Sequence, residues 1–483
     1  MALKGFKRKF KPLEILSEEE VEAIHASSID ILKETGVRFE SKWALNFLKK
    51  NDCIIDKKNN IVRFPEGLIE ECIRKTPSVF RVKAREEKYD EVYCKDTVYF
   101  QDAPAMNIIN LENYSTRTPT KSEYIEYVKV LDALNTVHNL SAYPYFGVSD
   151  VSPIMAMPEL MAIKFKYTSK FHQSPYANDN EIFSIKMAKA ADMEIMGNIS
   201  QSAPLTWFDS AVKSARRFIE AGFPVVQCSG SSFGATAPAT IAGAVAKTNA
   251  EHMSMIVLVQ LINPGQRILL WDLDFPQNMK TGSLGFGQIG VSIGCAIFNQ
   301  MWRYYRIPVG NATVGFVNSK IPDFQCAYER SIGTLISALT GCSLIQLHGC
   351  VMGELAGHPV QAVLDDDIAG MVGRFIQGET VNDDTLAVDL IREVGQIPGH
   401  YLGKKHTRKW WAKEQFIPKS ADRTSNYKDW FNGGKKTSLD LAKERTKKIL
   451  ESHKPSILED EKKEEIDKIL GEARKYYKEK GMM

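Results

Sequence analysis

Short apolar runs of strand length recur along the middle of the chain, each followed by a stretch with helical spacing. The runs begin near Val98, Asn139, Lys170, Ile199, Phe223, Gln266, Pro308 and Ser343. Their mean step is about 35 residues, the length of one βα unit. The clearest pair is Ile307–Phe316 and Cys342–Cys350, with the helical stretch Pro322–Leu339 between them. Strand, helix, strand predicts a parallel pair with a crossover helix. The alternation over residues 91–375 predicts an α/β fold, a (β/α)8 TIM-type barrel, with an open doubly wound sheet as the alternative. In such a barrel, chemistry sits at the C-terminal strand ends.

The flanks carry other patterns. Ser17 followed by Glu20 is a capping box, ahead of an apolar stripe at Val21, Ile24, Ile29 and Leu32 that Gly36 stops. A helix around residues 43–50, a hairpin over Cys53–Phe64 and a helix from Glu66 to Lys75 follow. Residues 1–90 therefore read as an N-terminal helical module with a β-ribbon. Residues 376–483 read as a C-terminal helical extension: a helix over Thr380–Val394, an aromatic and basic loop over Ile397–Trp411, and a Lys/Glu-rich helix pair broken at Lys454–Pro455. That pair suits a solvent-facing or subunit-packing appendage, which makes a homo-oligomer plausible.

Composition narrows the partners. A net charge of +3, with 25% charged residues, offers no field for a nucleic-acid polyanion. The opening residues lack an apolar signal core, and no apolar run is long enough to span a bilayer. The eight cysteines include no Cys-x-x-Cys pair, which points to free thiols in a reducing compartment, the cytoplasm by default.

Several short motifs invite chemistry and are better explained otherwise. Gly285-Phe-Gly-Gln-Ile-Gly290 has dinucleotide-loop spacing but does not follow a strand directly, so it reads as a packing loop. Gly230-Ser-Ser-Phe-Gly234 has the form of a nucleophile elbow, yet nothing singles out an Asp and a His to serve Ser232. His348 and Cys350, with a third ligand such as Cys228, could bind zinc, but the close cysteine pairs of structural zinc sites are missing. Asp102 and Asp272 are the acids nearest strand ends, whereas Asp209 and Asp323 read as helix caps. The expected site is poor in acid/base groups.

Strand ends are rich in rings instead: Tyr143, Tyr145, Phe146, Tyr176, Trp207, Phe208, Trp271 and Phe316. An aromatic pocket suits a quaternary ammonium, whose diffuse charge has no hydrogen-bond partner, and each ring face contributes ~0.5–2 kcal/mol. The polar groups His348, Gln346, Asn107 and Gln101 could then hold an anionic end. The expected substrate-binding set is His348, Gln346, Asn107, Gln101, Tyr143, Trp207, Trp271 and Phe316.

Along nearly its whole length the chain resembles the trimethylamine methyltransferase (MttB-type) superfamily. The likeness rests on Leu16–His25, Ile31–Val37 and Val62–Glu71, on Ser319–Glu329 in the barrel, and on Gly399–Thr407 and Phe416–Arg423 near the C-terminus. It implies a barrel that passes a methyl group from an amine to the Co(I) of a separate corrinoid protein. The cobalamin then belongs to that partner, and no cofactor or metal is held by this chain. The trimethylamine enzymes carry a pyrrolysine, and this sequence has none. The branch without it is similar to enzymes that demethylate glycine betaine, proline betaine, carnitine or γ-butyrobetaine. A quaternary nitrogen leaves as a neutral amine and needs no acid, so no catalytic residue is assigned and positioning is expected to do the work. Trimethylamine demethylation without pyrrolysine, or a non-catalytic betaine-binding scaffold, are the alternatives.

Overall fold

The computed structural model describes residues 5–456 and 458–483; the opening Met1–Lys4, on which the absence of a signal was partly read, lies outside them. The recurrent apolar runs form strands β1 (Thr97–Asp102), β2 (Asn139–Leu140), β3 (Phe171–Ser174), β4 (Ile195–Ser200), β5 (Val225–Ser229), β6 (Ile268–Asp272), β7 (Val309–Asn311) and β8 (Leu344–His348). Neighbours pair in chain order, all parallel. β8 returns to β1 through Leu344–Tyr99, Ile345–Phe100 and Gln346–Gln101. The sheet is therefore closed: a (β/α)8 barrel of the TIM type.

The helices between the strands are α1 (Lys121–Ala133), α2 (Ala156–Tyr167), α3 (Glu181–Ala190), α4 (Asp209–Glu220), α5 (Ile241–Ile262), α6 (Ile289–Tyr304), α7 (Phe324–Thr340) and α8 (Pro359–Ile376). Strand alternation sorts side chains between the barrel interior and this helical coat. Gly197 faces the coat, where Phe218 of α4 occupies the space a Cβ would take. Val226, Leu269 and Trp271 point inward. Residues Ala244–Gln260 of α5 are buried all round, because the barrel covers one face and the N-terminal module the other. That double burial explains its unbroken apolar and small-residue composition.

The N-terminal module follows its sequence signals. The Ser17–Glu20 capping box starts the helix Glu18–Asp30, and the strands Ile54–Asp56 and Ile61–Arg63 form the expected hairpin. A second hairpin, Phe80–Val82 with Glu91–Tyr93, closes the N-terminal end of the barrel. Its backbone accepts from Glu194 N–H at Lys83 and from the Arg267 guanidinium at Arg81, and Asn139 donates to both Glu91 oxygens at 3.0 Å.

Three expectations change. The fourth strand is Ile195–Ser200, ahead of the run read from Ile199; Thr206–Trp207 joins the N-terminal sheet instead, beside Arg38–Phe39. The helix expected over Thr380–Val394 divides at Ala387, whose φ is 50°, and Lys405–Gln415 is helical within the stretch read as a loop. The C-terminal pair, Ser438–Ser452 and Asp460–Glu479, is not a solvent-facing appendage. Ile466, Ile469, Leu470, Ala473 and Tyr477 form a buried stripe that packs on α2 and α3, and Ala442 and Thr446 lie buried where the first helix meets α8 and α1. Among the described residues no helix is long and apolar enough to cross a membrane.

Candidate functional site

At the C-terminal end of the barrel a cavity of about 210 Å³ opens between the loops after β5, β6, β7 and β8. Three phenylalanines wall it. Phe275 follows β6, Phe286 comes from the loop before α6, and Phe316 follows β7. Their ring centroids lie 4.7 Å (Phe275–Phe286), 5.7 Å (Phe275–Phe316) and 5.8 Å (Phe286–Phe316) apart, tilted or edge to face. Gly230, Ser231 and Ser232, after β5, also line it, as does Glu354 from the loop after β8. A larger cleft of about 830 Å³, edged by Arg8, Glu14 and Tyr304, lies at the other end of the barrel, away from the strand ends where such folds do chemistry.

The loop after β8 is held firmly. Cys350–Val351 pairs with Ala356–Gly357, and the latter strand continues onto Asn107–Ile108. Met106 and Asn107 N–H donate to the carbonyls of Glu354 and Leu355, while Met352 and Gly353 N–H donate to Ser319 and Val317. Gly353 has φ +68°, and a Cβ there would lie 2.4 Å from the Phe286 ring. Only glycine allows that ring to lie against the turn.

Inside the barrel, three glutamines form a ladder. Gln173 Nε2 donates to Gln101 Oε1 at 2.9 Å, and Gln101 Nε2 donates to Gln346 Oε1 at 3.3 Å. Gln346 Nε2 reaches the Ala312 carbonyl at 3.4 Å, which is long for a hydrogen bond. Trp271 lies on the interior face beside Gly310, where a Cβ would sit 2.0 Å from the indole. The glycine makes room for the ring. Cys228, next along the same level, has its thiol pushed above the usual range by burial.

The predicted binding residues divide. Phe316 lines the cavity, Trp271, Gln101 and Gln346 lie in the barrel interior, and Tyr143 stacks on Phe146 at 4.9 Å in the loop after β2. Three are placed differently. Trp207 is fully buried outside the barrel, with its indole N–H on Ser254 Oγ at 3.0 Å, because its strand joined the N-terminal sheet. Asn107 donates its side-chain amide to the Leu355 carbonyl at 3.2 Å, bracing the loop after β8. His348 is turned away from the mouth. The register shifts between Gln346 and His348, so His348 pairs with Asp102 and shares its outward face. Its Nε2 lies 3.0 Å from Thr136 Oγ1, which donates to Asp366 at 2.6 Å. Burial holds its pKa down, to about 4, so the ring is neutral and unsuited to holding a carboxylate. Of the other rings, Tyr145 packs on Tyr127 and Phe208 caps α4 at the surface.

The remaining candidates are structural. Asp102 accepts from Ser141 N–H and Oγ at 2.7 and 2.6 Å, and Asp272 accepts from Thr313 Oγ1 at 2.8 Å and from the Cys295 thiol. Asp323 caps α7 as expected, whereas Asp209 is the first residue of α4 and pairs with Lys213. Among the described residues no His or Asp bonds to Ser232, whose backbone N–H is taken by Thr236. At the Gly285–Gly290 loop, Gly287 abuts the Glu329 carboxylate, which is no place for a pyrophosphate. The Cys350 thiol donates to the Gly315 carbonyl, and among the described residues no group of three His, Cys, Asp or Glu could hold a metal ion.

Sequence reading missed Phe275, Phe286 and Glu354. Both rings lie beyond the strand end, Phe275 just after it and Phe286 within the Gly285–Gly290 stretch read as a packing loop. Glu354 lies six residues past β8 and enters only because the loop doubles back.

Fold and mouth together define a (β/α)8 barrel with a small, ring-walled cavity at the strand C-termini. The family described as trimethylamine methyltransferase (MTTB) matches residues 1–475, and the chain belongs to it. It is 28% identical over 475 residues to a trimethylamine methyltransferase of Desulfitobacterium hafniense strain DCB-2, covering 95% of this chain and 94% of that one. It is 28% identical over 459 residues to a glycine betaine methyltransferase of Desulfitobacterium hafniense strain Y51, covering 92% and 94%. The solved monomethylamine methyltransferase of Methanosarcina barkeri superposes with a TM-score of 0.51 at 12% identity, over 98% of this chain and 89% of that one, and shares the fold.

Proposed function

We propose that this protein demethylates a quaternary amine, with a partner corrinoid protein receiving the methyl group. The observation that carries the reading is the cluster of Phe275, Phe286 and Phe316 at the open end of the barrel in a chain of this family. Aromatic rings lining a partly desolvated site attract a diffuse cation without a directional partner. A related protein named for glycine betaine supports a quaternary substrate. The betaines anticipated above share the trimethylammonium or dimethylammonium head; which anionic end, if any, accompanies it is taken up below.

The residues do positioning work. The rings fix the nitrogen, the firmly bonded loop after β8 keeps the walls from spreading, and water is displaced from the apolar sides. When the carbon–nitrogen bond breaks, nitrogen keeps the electron pair and the product is a neutral tertiary amine, so no proton has to be supplied. The corrinoid supplies a strong nucleophile that accepts the methyl group. At about 210 Å³ the cavity is smaller than the ~300–1,000 Å³ of sites for drug-sized ligands. A corrin macrocycle therefore stays outside it, which fits a carrier protein. Exposed Ile289 and Ile293 on α6 and Phe324, Tyr328 and Ile332 on α7 suit burial against a further chain, a second copy of this one in the proposed homo-oligomer. Incubating the purified protein with a reduced corrinoid protein and a panel of quaternary amines tests the activity; the expected product is the matching tertiary amine.

A further inference from the structure

Among the described residues the cavity has one charged lining residue, and it is negative. Glu354 lines it together with Phe275, Phe286 and Phe316, and among the described residues its carboxylate has no hydrogen-bond or ion-pair partner. Burial alone acts on it and raises its pKa above the usual carboxylate range. The backbone around it is fixed by Met106 N–H on its own carbonyl and by the turn at Met352 and Gly353, with φ of 59° and 68°. An unpaired, partly desolvated carboxylate on a firmly held loop is costly unless something pairs with it.

Among the described residues no cation of the protein does so. Lys247, behind the cavity-lining Ser231, donates to Ser231 Oγ and to Glu251 Oε1, the latter at 2.6 Å. Its charge is neutralised by Glu251, which also accepts from Ser229 at 2.6 Å and from Leu205 N–H at 2.7 Å. Arg330 is turned to the carbonyls of Leu347 and Cys350 and to Asp365. The groups expected to hold a carboxylate end are engaged: His348 with Thr136, Asn107 with Leu355, and Gln101 and Gln346 in the glutamine ladder.

We propose that Glu354 is a specificity-determining residue that pairs with the ammonium held by Phe275, Phe286 and Phe316, so that the site takes monocationic quaternary amines in preference to zwitterionic betaines. This rests on the quaternary-amine reading and narrows it. Rings attract any diffuse cation, but an added carboxylate distinguishes a net charge of +1 from zero. A carboxylate on the ligand would be drawn into a pocket that offers it a like charge and no donor of opposite sign.

Calorimetric titration of the full-length protein tests this without methyl transfer. The probes are choline, its uncharged isostere 3,3-dimethyl-1-butanol, and glycine betaine. Wild type is expected to bind choline at least ~tenfold more tightly than either of the others. Glu354→Gln, isosteric and placed on a loop whose bonds are made by backbone, is expected to lose ~tenfold or more for choline and little for the isostere. Glu354→Asp, which keeps the charge, recovers part of the loss. Equal choline affinity in wild type and Glu354→Gln, or tighter binding of glycine betaine than of choline by wild type, overturns the proposal. Choline binding that depends on Glu354 without any methyl transfer upholds it and defeats the catalytic reading. Transfer from a betaine at equal rates in wild type and Glu354→Gln upholds the catalytic reading and defeats this one.

Discussion

The Arg330 guanidinium lies 3.3 Å from the Asp365 carboxylate, and neither side chain reaches solvent. Arg330 also donates to the carbonyls of Leu347 and Cys350, on either side of Gly349, whose N–H donates to Asp365 at 2.8 Å. The pair therefore clamps the exit of β8, the point from which the wall bearing Glu354 starts. Arg330→Met leaves a buried carboxylate and two carbonyls without their partner. Removing one member of a buried pair costs about 3–5 kcal/mol. Urea unfolding should show a loss of that size, and where the variant still folds, KM should rise more than kcat falls.

The ring cluster makes a separate prediction. Phe316→Leu keeps most of the buried volume but removes the π-face. Affinity for a quaternary ammonium should weaken by about 0.5–2 kcal/mol, roughly 2- to 30-fold, with little change for the uncharged isostere. Titration calorimetry with the two ligands measures the difference. Equal losses for both would mean that the ring acts by shape alone.

Much of the fold was legible because a βα barrel repeats a local pattern. Apolar runs at Val98, Phe223, Gln266, Pro308 and Ser343 lie on strands or just before them, and the capping box at Ser17 starts a helix as read. What failed was non-local. Trp207 looked like a strand-end ring, but its partner strand, Val37–Phe39, lies about 170 residues earlier in the chain. His348 reads with Gln346 as a polar strand-end group for an anionic end, and a shift of register against β1 turns it away. Period-two alternation cannot reveal a bulge, since a bulge is defined by two strands. Glu354 escaped because its position depends on a turn and on bonds to two other loops.

Gly310 should tolerate no side chain. A Cβ would sit 2.0 Å from the Trp271 ring and 3.2 Å from the Leu344 carbonyl, so Gly310→Ala must push the indole off its place in the barrel interior. Overpacking of this kind costs about 1–3 kcal/mol. Indole fluorescence should shift, and thermal unfolding should occur at lower temperature.

Acid should destabilise the fold before most carboxylates titrate. Burial holds His252 to about 3 and His348 and His358 to about 4, against 6.5 for an exposed imidazole. Below pH 6.5 the unfolded chain takes up protons that the folded chain refuses. The stability these neutral rings provide is present above that pH and is lost as pH falls toward 4. Each contributes a slope of up to about 1.4 kcal/mol per pH unit. Denaturant midpoints at pH 7, 6 and 5 should fall, and His348→Gln should show a shallower decline than wild type.

Positioning of a quaternary nitrogen by rings, with no proton supplied, is most directly tested by substrate charge type. The purified protein is incubated with a reduced corrinoid protein and, in parallel, with quaternary amines and with trimethylamine, and the demethylated amines are quantified by mass spectrometry. The account predicts a tertiary amine from at least one quaternary compound and no dimethylamine from trimethylamine. Dimethylamine from trimethylamine, with no product from any quaternary amine, would contradict it.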